Sequence, residues 1–534
     1  MARSRASWIL IPLLVVLCSV LGGVFGPELD EVNAATTEDD IKAGIRVFSK
    51  VYEAVEDNFA EKISADRAIY QGAVPGMLRT LDPHSNFYDP KMYAQMRDDQ
   101  RGRYFGVGMQ IGPRTGQVIV MSPFPGSPAA KAGIRPGDVI VEVNDQKADK
   151  MTTSDVADKL RGPRGTQVQI RVMREGVDKP LTFNVTRDEI PRKSVKDAFF
   201  VKPGIMYLDV ESFNENTSTE VNDNFKRLGE KNVKGLILDL RDNPGGLLNE
   251  GVAVADRFLQ KGQRIVSHRG RANPERAYAA KRGNMGFDYP VVVLMNKFSA
   301  SAAEIVAGAL QDHDRALVLG EDSFGKGLVQ TVYPMGETTG LALTTAKYYT
   351  PSGRLIQRDY ANVSFFDYYY RKDTEQKNPK DVKMTDSGRA VFGGNGIAPD
   401  EKFVKPAFNK FQLELYRKGG FFNFTAQFFG AKEAKLPQGW SPDAKVLEDF
   451  KVFLKKLNVT FTEEDFQTNR DWVKNTLQSE IYKTAFDIDE SSKFDIEIDS
   501  EVQKAVELMP KARELQDKAR KLIVQRMAPT ADQQ

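Results

Sequence analysis

Among 534 residues there is one cysteine, Cys18. A single thiol excludes an intrachain disulfide and any metal site built on cysteine. Histidine is almost as scarce, with only His84, His268 and His313, which leaves little for His-based catalysis or metal binding. Neither charge dominates, since Lys and Arg number 75 against 73 Asp and Glu. Bulk electrostatics therefore give no reason to expect nucleic acid or an anionic surface as partner. Long apolar runs are also missing after the N-terminus, so nothing later could span a bilayer. What is present, 41% apolar and 28% charged residues, is ordinary for a folded chain. The length exceeds a single core and suggests about three or four units.

The N-terminus reads as an address. Arg3 and Arg5 precede an apolar run from Trp8 to Leu21 that extends to Phe25, and acidic Glu28, Asp30 and Glu31 follow. This is the pattern of a secretory signal peptide, with cleavage after Gly26 or within Asn33-Ala34-Ala35. The length of the run leaves an uncleaved membrane anchor as the alternative. Bulky Leu17 before Cys18 argues against lipidation there.

Further along, Ile41, Ile45, Phe48, Tyr52 and Val55 recur at spacings of four and three, the stripe of an amphipathic helix. Leu81-Asp82-Pro83-His84-Ser85 marks a turn. From about 103 to 188, short β-branched runs at Val118–Met121, Val139–Val143, Val168–Val172 and Leu181–Val185 alternate with Gly/Pro turns. With one helix at Ser154–Leu160, they predict a small β-rich domain. From about 195 to 400, apolar strands alternate with helices at Thr217–Leu228 and Ala302–Leu310, which predicts a mixed α/β domain with a buried sheet. The stretch Asp359–Asn395 reads as an ordered surface excursion. Beyond about 403 the pattern is helical, with Ser441-Pro442 as a helix start and a last helix over 500–526.

Three stretches could carry chemistry. Gly320-Glu321-Asp322-Ser323-Phe324-Gly325-Lys326-Gly327 nearly matches a phosphate-binding loop. Gly327 stands where that loop needs a hydroxyl, and the strand-forming Leu328–Tyr333 stands where it needs a helix. Asp239–Gly246 closes a strand with a Pro-Gly-Gly turn. It reads either as a turn needing positive φ or as exposed N–H donors for an oxyanion. In Ser299-Ala300-Ser301-Ala302-Ala303-Glu304-Ile305 a serine opens a helix, where taken alone it reads first as an N-cap, although the same position also suits a nucleophile. No histidine is well placed as its base. A lysine that burial has made neutral could serve instead, and Lys326 sits in a Gly-flanked loop between two apolar strands.

Together these segments resemble peptidase family S41, the carboxyl-terminal processing or tail-specific proteases. Leu81–Ser85, Asp239–Gly246, Ser299–Ile305, Gly325-Lys326-Gly327 with Gln330, Lys347–Arg354 and Gly394–Asp400 carry the likeness. The resemblance implies that the nucleophile is the second serine of Ser-Ala-Ser, followed 25 positions later (326 − 301) by the lysine. Ser301 and Lys326 fit, and Gln330 fits the glutamine that holds the lysine. The family's oxyanion hole would fall to Gly245 or Gly246 together with Ala302. Ala303 stands where many relatives have a polar residue. Residues 103–188 look like the family's PDZ module, whose carboxylate-binding loop corresponds to Tyr104–Met109. This assigns peptide C-terminus binding to Gly106, Val107 and Gly108.

The implied architecture is α/β multidomain. It comprises a signal peptide or anchor (1–35), an N-terminal helical region (36–102), a PDZ domain (103–188), a crotonase/ClpP-like S41 protease core (189–402) and a C-terminal helical region (403–534). The implied function is Ser-Lys endopeptidase cleavage near protein C-termini in the periplasm or cell envelope. No metal or cofactor is expected. Partners would be substrates bound by their C-termini, with a homo-oligomer or adaptor as further partners and no nucleic acid. A non-catalytic PDZ scaffold is the competing reading.

Overall fold

Ile41, Ile45, Phe48, Tyr52 and Val55 lie on one helix, Glu38–Asn58 (α1), as their spacing predicts. Glu38, Asp39 and Asp40 fill its first turn, where acidic side chains complement the helix dipole. In the computed structural model of this chain, the described residues are 38–64, 66–114, 116–361, 363–370, 381–430 and 435–527. Two units divide after Gly76, and α1 belongs to the first. The apolar run Trp8–Phe25, and with it the expected signal peptide or anchor, lies outside the described residues, as does the tail Ala528–Gln534. Among the described residues no helix is long and apolar enough to cross a membrane.

In the second unit, alternation again builds the first sheet. Met109–Arg114 (β1), Gln117–Pro123 (β2), Val139–Val143 (β3), Gln167–Met173 (β4) and Leu181–Thr186 (β5) pair antiparallel in that order. Val168, Ile170 and Val172 of β4 are buried, while the residues between them are not, the period of two expected of a half-buried strand. Helix Thr153–Leu160 (α2) adds Val156 and Leu160 to this core. Thr152 and Asp155 close its start as a capping box. Strand β1 is an edge of this sheet.

The second sheet has the signature of a parallel sheet covered on both faces. Gly235–Asp239 (β8) and Val291–Met295 (β9) are buried at every position. The sheet runs Val195–Lys202 (β6), Ile205–Val210 (β7), β8, β9 and Leu317–Gly320 (β10), with Glu401–Lys402 at the far edge. Only the β6–β7 pair is antiparallel. One face packs on Ala302–Asp312 (α3), a helix with every residue buried. The other face packs on the C-terminal helices through Val502, Ala505, Met509 and Ala512, which meet Ile237, Val292, Leu294 and Leu319. A fully buried Val or Met side chain contributes about 1.5–3 kcal/mol, so through Val502 and Met509 the C-terminal helices are part of the core's stability. A third sheet is built on Leu328–Pro334 (β11) and Gly340–Tyr349 (β12). Strand β12 also pairs with Asn86–Tyr88 and Arg264–Arg269.

Four expectations are corrected. Asn86–Tyr88 is a strand inside the stretch read as helical, because β12 offers it an edge. The helix expected at Ser441 starts later. Asp443 caps Ala444–Lys456 by accepting from the Val446 amide at 2.8 Å. The last helix is two, Ser500–Glu507 and Met509–Met527, and Pro510 in the first turn of the second lacks the N–H needed to continue the first. The Asp359–Asn395 stretch is not wholly superficial, since Tyr368 and Val391 are buried.

Candidate active site

Ser301 sits at the junction of β9 and α3 with φ 56° and ψ −115°. Positive φ is costly for a residue with a Cβ, and an ordinary N-cap has extended geometry. The surroundings over-determine this conformation. Gly245 packs so closely that a Cβ there would fall 2.6 Å from Ser301 Cβ and 2.8 Å from the Ala302 nitrogen. The Ala300 amide donates to the Asn243 carbonyl at 2.9 Å.

The residue that joins the two candidate groups is Glu304. Its Oε2 accepts from the Ser301 amide at 2.8 Å and from the Lys326 amide at 2.9 Å. Its Oε1 accepts from the Gly325 amide at 2.8 Å and from Ser323 Oγ at 2.5 Å. One buried carboxylate thus sets the backbone of Ser301 beside that of Lys326. Burial raises the Glu304 pKa, and these four donors oppose the rise. The Tyr348 hydroxyl lies between the carbonyl oxygens of Ser301, at 3.1 Å, and Lys326.

Lys326 Nζ donates to Gln330 Oε1 at 3.0 Å. Burial lowers the Lys326 pKa, with Glu304 and then Asp82 acting in the opposite sense. Ser301, Lys326 and Gln330 all line one cavity of about 1830 Å³, which Gly245 and Gly246 also line. The two glycines are not equivalent. The Gly245 amide already donates to Asn243 Oδ1 at 2.8 Å. Gly246 presses on Phe213, whose carbonyl oxygen would lie 2.1 Å from an added Cβ. Ala302 is the first residue of α3, so its N–H has no acceptor within the helix.

The same cavity runs along the first sheet's domain, touching Tyr104, Phe105, Gln110, Ser127 and Arg161. Gly106, Val107 and Gly108 are not among its lining residues. Val107 is buried in the domain core, and Gly108, at φ 74°, packs against Ser127. The loop leads into edge strand β1, and α2 packs against that strand. At the other end, Ile488, Asp489 and Ser492 from the C-terminal helices complete the wall.

The other two histidines stand apart from Ser301. His313 caps the far end of α3 and bonds Asp386 at 2.8 Å, while His268 lies tilted against Tyr278, with ring centres 5.7 Å apart. His84 is closer. Burial, aided by the Lys326 charge, lowers its pKa to about 4 from an ordinary 6.5. A histidine whose pKa is lowered in the fold contributes stability above its unfolded pKa and loses it as pH falls through the folded value. His84→Gln should therefore flatten the loss of Tm between pH 6.5 and 4, an effect of at most about 3 kcal/mol. Melting both proteins at the two pH values checks this; an identical drop in Tm would place the titration elsewhere.

Glu304, Tyr348, Asn243 and His84 were not reached by sequence reasoning as site residues. Only Glu304 had a local signal, the Ser-x-x-Glu spacing of a capping box.

Comparison with known proteins gives the family of the chain. The model of peptidase family S41 matches residues 204–362, and a PDZ domain model matches 119–174. The carboxy-terminal-processing protease of Bartonella bacilliformis is 43% identical over 315 residues, which span 58% of this chain and 72% of that protein. Carboxy-terminal processing protease CtpB of Bacillus subtilis is 33% identical over 342 residues, 63% of this chain and 71% of that one. Among solved structures, the photosystem II D1 C-terminal processing protease aligns at 29% identity over 67% of this chain and 86% of its own, with a TM-score of 0.36. Identity of this degree over more than two thirds of a relative's length settles kinship: the chain belongs to peptidase family S41, as a carboxy-terminal processing serine-type protease with a PDZ domain.

Proposed function

We propose that Ser301 is the nucleophile and Lys326 the general base of an endopeptidase that cuts proteins near their C-termini. The observation that carries this reading is the shared Glu304 Oε2, which accepts from the amides of both residues. The strained backbone of Ser301 supports it, since a helix cap alone would not need that strain. Neutral Lys326 takes the proton from Ser301 Oγ as Oγ attacks the scissile carbonyl. Gln330 holds the amine in place. The oxyanion is met by backbone N–H groups of the Gly245-Gly246 turn and Ala302. Gly246 is the better donor of the two glycines, because the Gly245 amide is engaged by Asn243. Lys326 then protonates the leaving amine, and water hydrolyses the acyl-enzyme.

Substrate C-termini bind the PDZ domain at the Gly106-Val107-Gly108 loop and add as a strand to the free edge of β1 beside α2. The chain works in the cell envelope after export by its N-terminal apolar run. Its domains divide near residues 102, 188 and 402.

Incubating the purified protein with an unfolded substrate tests both parts. Cleavage is expected when the substrate ends in a free carboxylate. Amidating that end should raise KM by about tenfold or more, the value of a lost charged hydrogen bond. Stable capture without cleavage would make the chain a scaffold, and equal KM values would remove the PDZ reading.

A further inference from the structure

Gln330 has a second partner besides Lys326. Its Nε2 donates to the backbone carbonyl of His84, 246 residues away in sequence. That carbonyl belongs to the turn Leu81-Asp82-Pro83-His84-Ser85, and the turn is tied by one side chain. Asp82 Oδ1 accepts from the His84 and Ser85 amides, each at 2.7 Å, and Oδ2 accepts from Ser85 Oγ at 2.6 Å. Ser85 Oγ in turn accepts from the Thr344 amide of β12 at 3.1 Å, which registers the turn against the strand next to β11. A glutamine amide has one acceptor end and one donor end. With the donor end engaged by the His84 carbonyl, only Oε1 is left to face Lys326.

Resting on the reading of Lys326 as base, we infer that the Leu81–Ser85 turn is a positioning element for Lys326. Asp82 sets the turn, and the turn acts through the His84 carbonyl and the Gln330 amide. An aromatic cover stabilises it from outside. Tyr368 Oη lies 2.8 Å from His84 Nε2, and Tyr369 Oη donates to the Pro83 carbonyl at 3.0 Å. Arg358 stacks on Phe324 and Tyr368, 3.9 and 4.4 Å from their ring centres. The ionisable groups that act on Lys326 or on the turn beside it are Glu304 from α3, Asp82 and His84 from the turn, Arg358 through His84, and Tyr348 from β12.

Two substitutions separate the turn's geometry from its charge. Asp82→Ala removes the clamp and should lower kcat by about a hundredfold, the cost of misplacing a reacting group by an ångström, with KM nearly unchanged. Asp82→Asn keeps an Oδ1 for both amides but removes a charge that favours the ammonium form of Lys326. Its kcat at high pH should stay near that of the parent, while the acid limb of kcat/KM moves to lower pH. A purely structural role would not move that limb. Circular dichroism reports whether each variant folds, and if Asp82→Ala does not, the Asp82→Asn profile decides. An acid limb that stays in place in Asp82→Asn, or full kcat in a folded Asp82→Ala, would overturn the inference. Ser301→Ala and Lys326→Ala run alongside: activity in either refutes the dyad itself, whereas their inactivity with unaffected Asp82 variants refutes the turn alone.

Discussion

Ser301→Ala and Lys326→Ala are each expected to abolish peptide cleavage, with losses of about 10⁴-fold or more in kcat, as when nucleophile or base is removed from an acyl-transfer site. The two should not add. Either group is useless without the other, so the double variant should be no slower than the slower single one. Both should fold normally. Ser301→Ala keeps the amide that Glu304 accepts from, and Lys326→Ala keeps its own amide as well. Removing a buried amine that donates to Gln330 also relieves the desolvation that lowers its pKa. Single-turnover assays on a peptide with a free C-terminus, with melting curves as control, give the answer. Activity within tenfold of the parent in either variant would remove the proposed chemistry.

Gly245→Ala should be nearly as damaging. The added Cβ would meet Ser301 Cβ at 2.6 Å, the Ala300 carbonyl at 2.7 Å and the Ala302 nitrogen at 2.8 Å, from a backbone at φ 92°. Two of these atoms are backbone, so no rotamer change relieves the clash, and the turn must move away from Ser301. Loss of one aligned oxyanion donor alone costs about 10²–10³ in kcat. The positive φ adds about 1–2 kcal/mol of strain to stability. Gly165→Ala is the control. It has the same strain at φ 83° but open space around its Cβ, so stability should fall while kcat holds. Equal kcat in Gly245→Ala and the parent would separate this turn from catalysis.

Much of the fold was legible because its elements report themselves locally. The run Val139–Val143 is a strand over those residues, and Thr217–Leu228 is a helix over those residues. Failures came where a distant partner decided the outcome. Asn86–Tyr88 is a strand only because β12 pairs with it. The break near Leu508 is the exception, since it follows from a local residue, Pro510, whose missing N–H ends the first helix.

By itself, the sequence determined the kind of chemistry that could be present. The counts of cysteine and histidine removed disulfide and most histidine schemes, and the resemblance to peptidase family S41 singled out Ser301, Lys326 and Gln330 as one candidate set. Tertiary structure alone decided how that set is held. Glu304 reaches the backbone of both candidate residues, Asn243 occupies the Gly245 amide, and the His84 carbonyl orients Gln330. The reason is physical. Hydrophobic periodicity is written into neighbouring residues, whereas the hydrogen bonds from Lys326 to Glu304 and from Gln330 to His84, across 22 and 246 positions, exist only once packing has brought donor to acceptor.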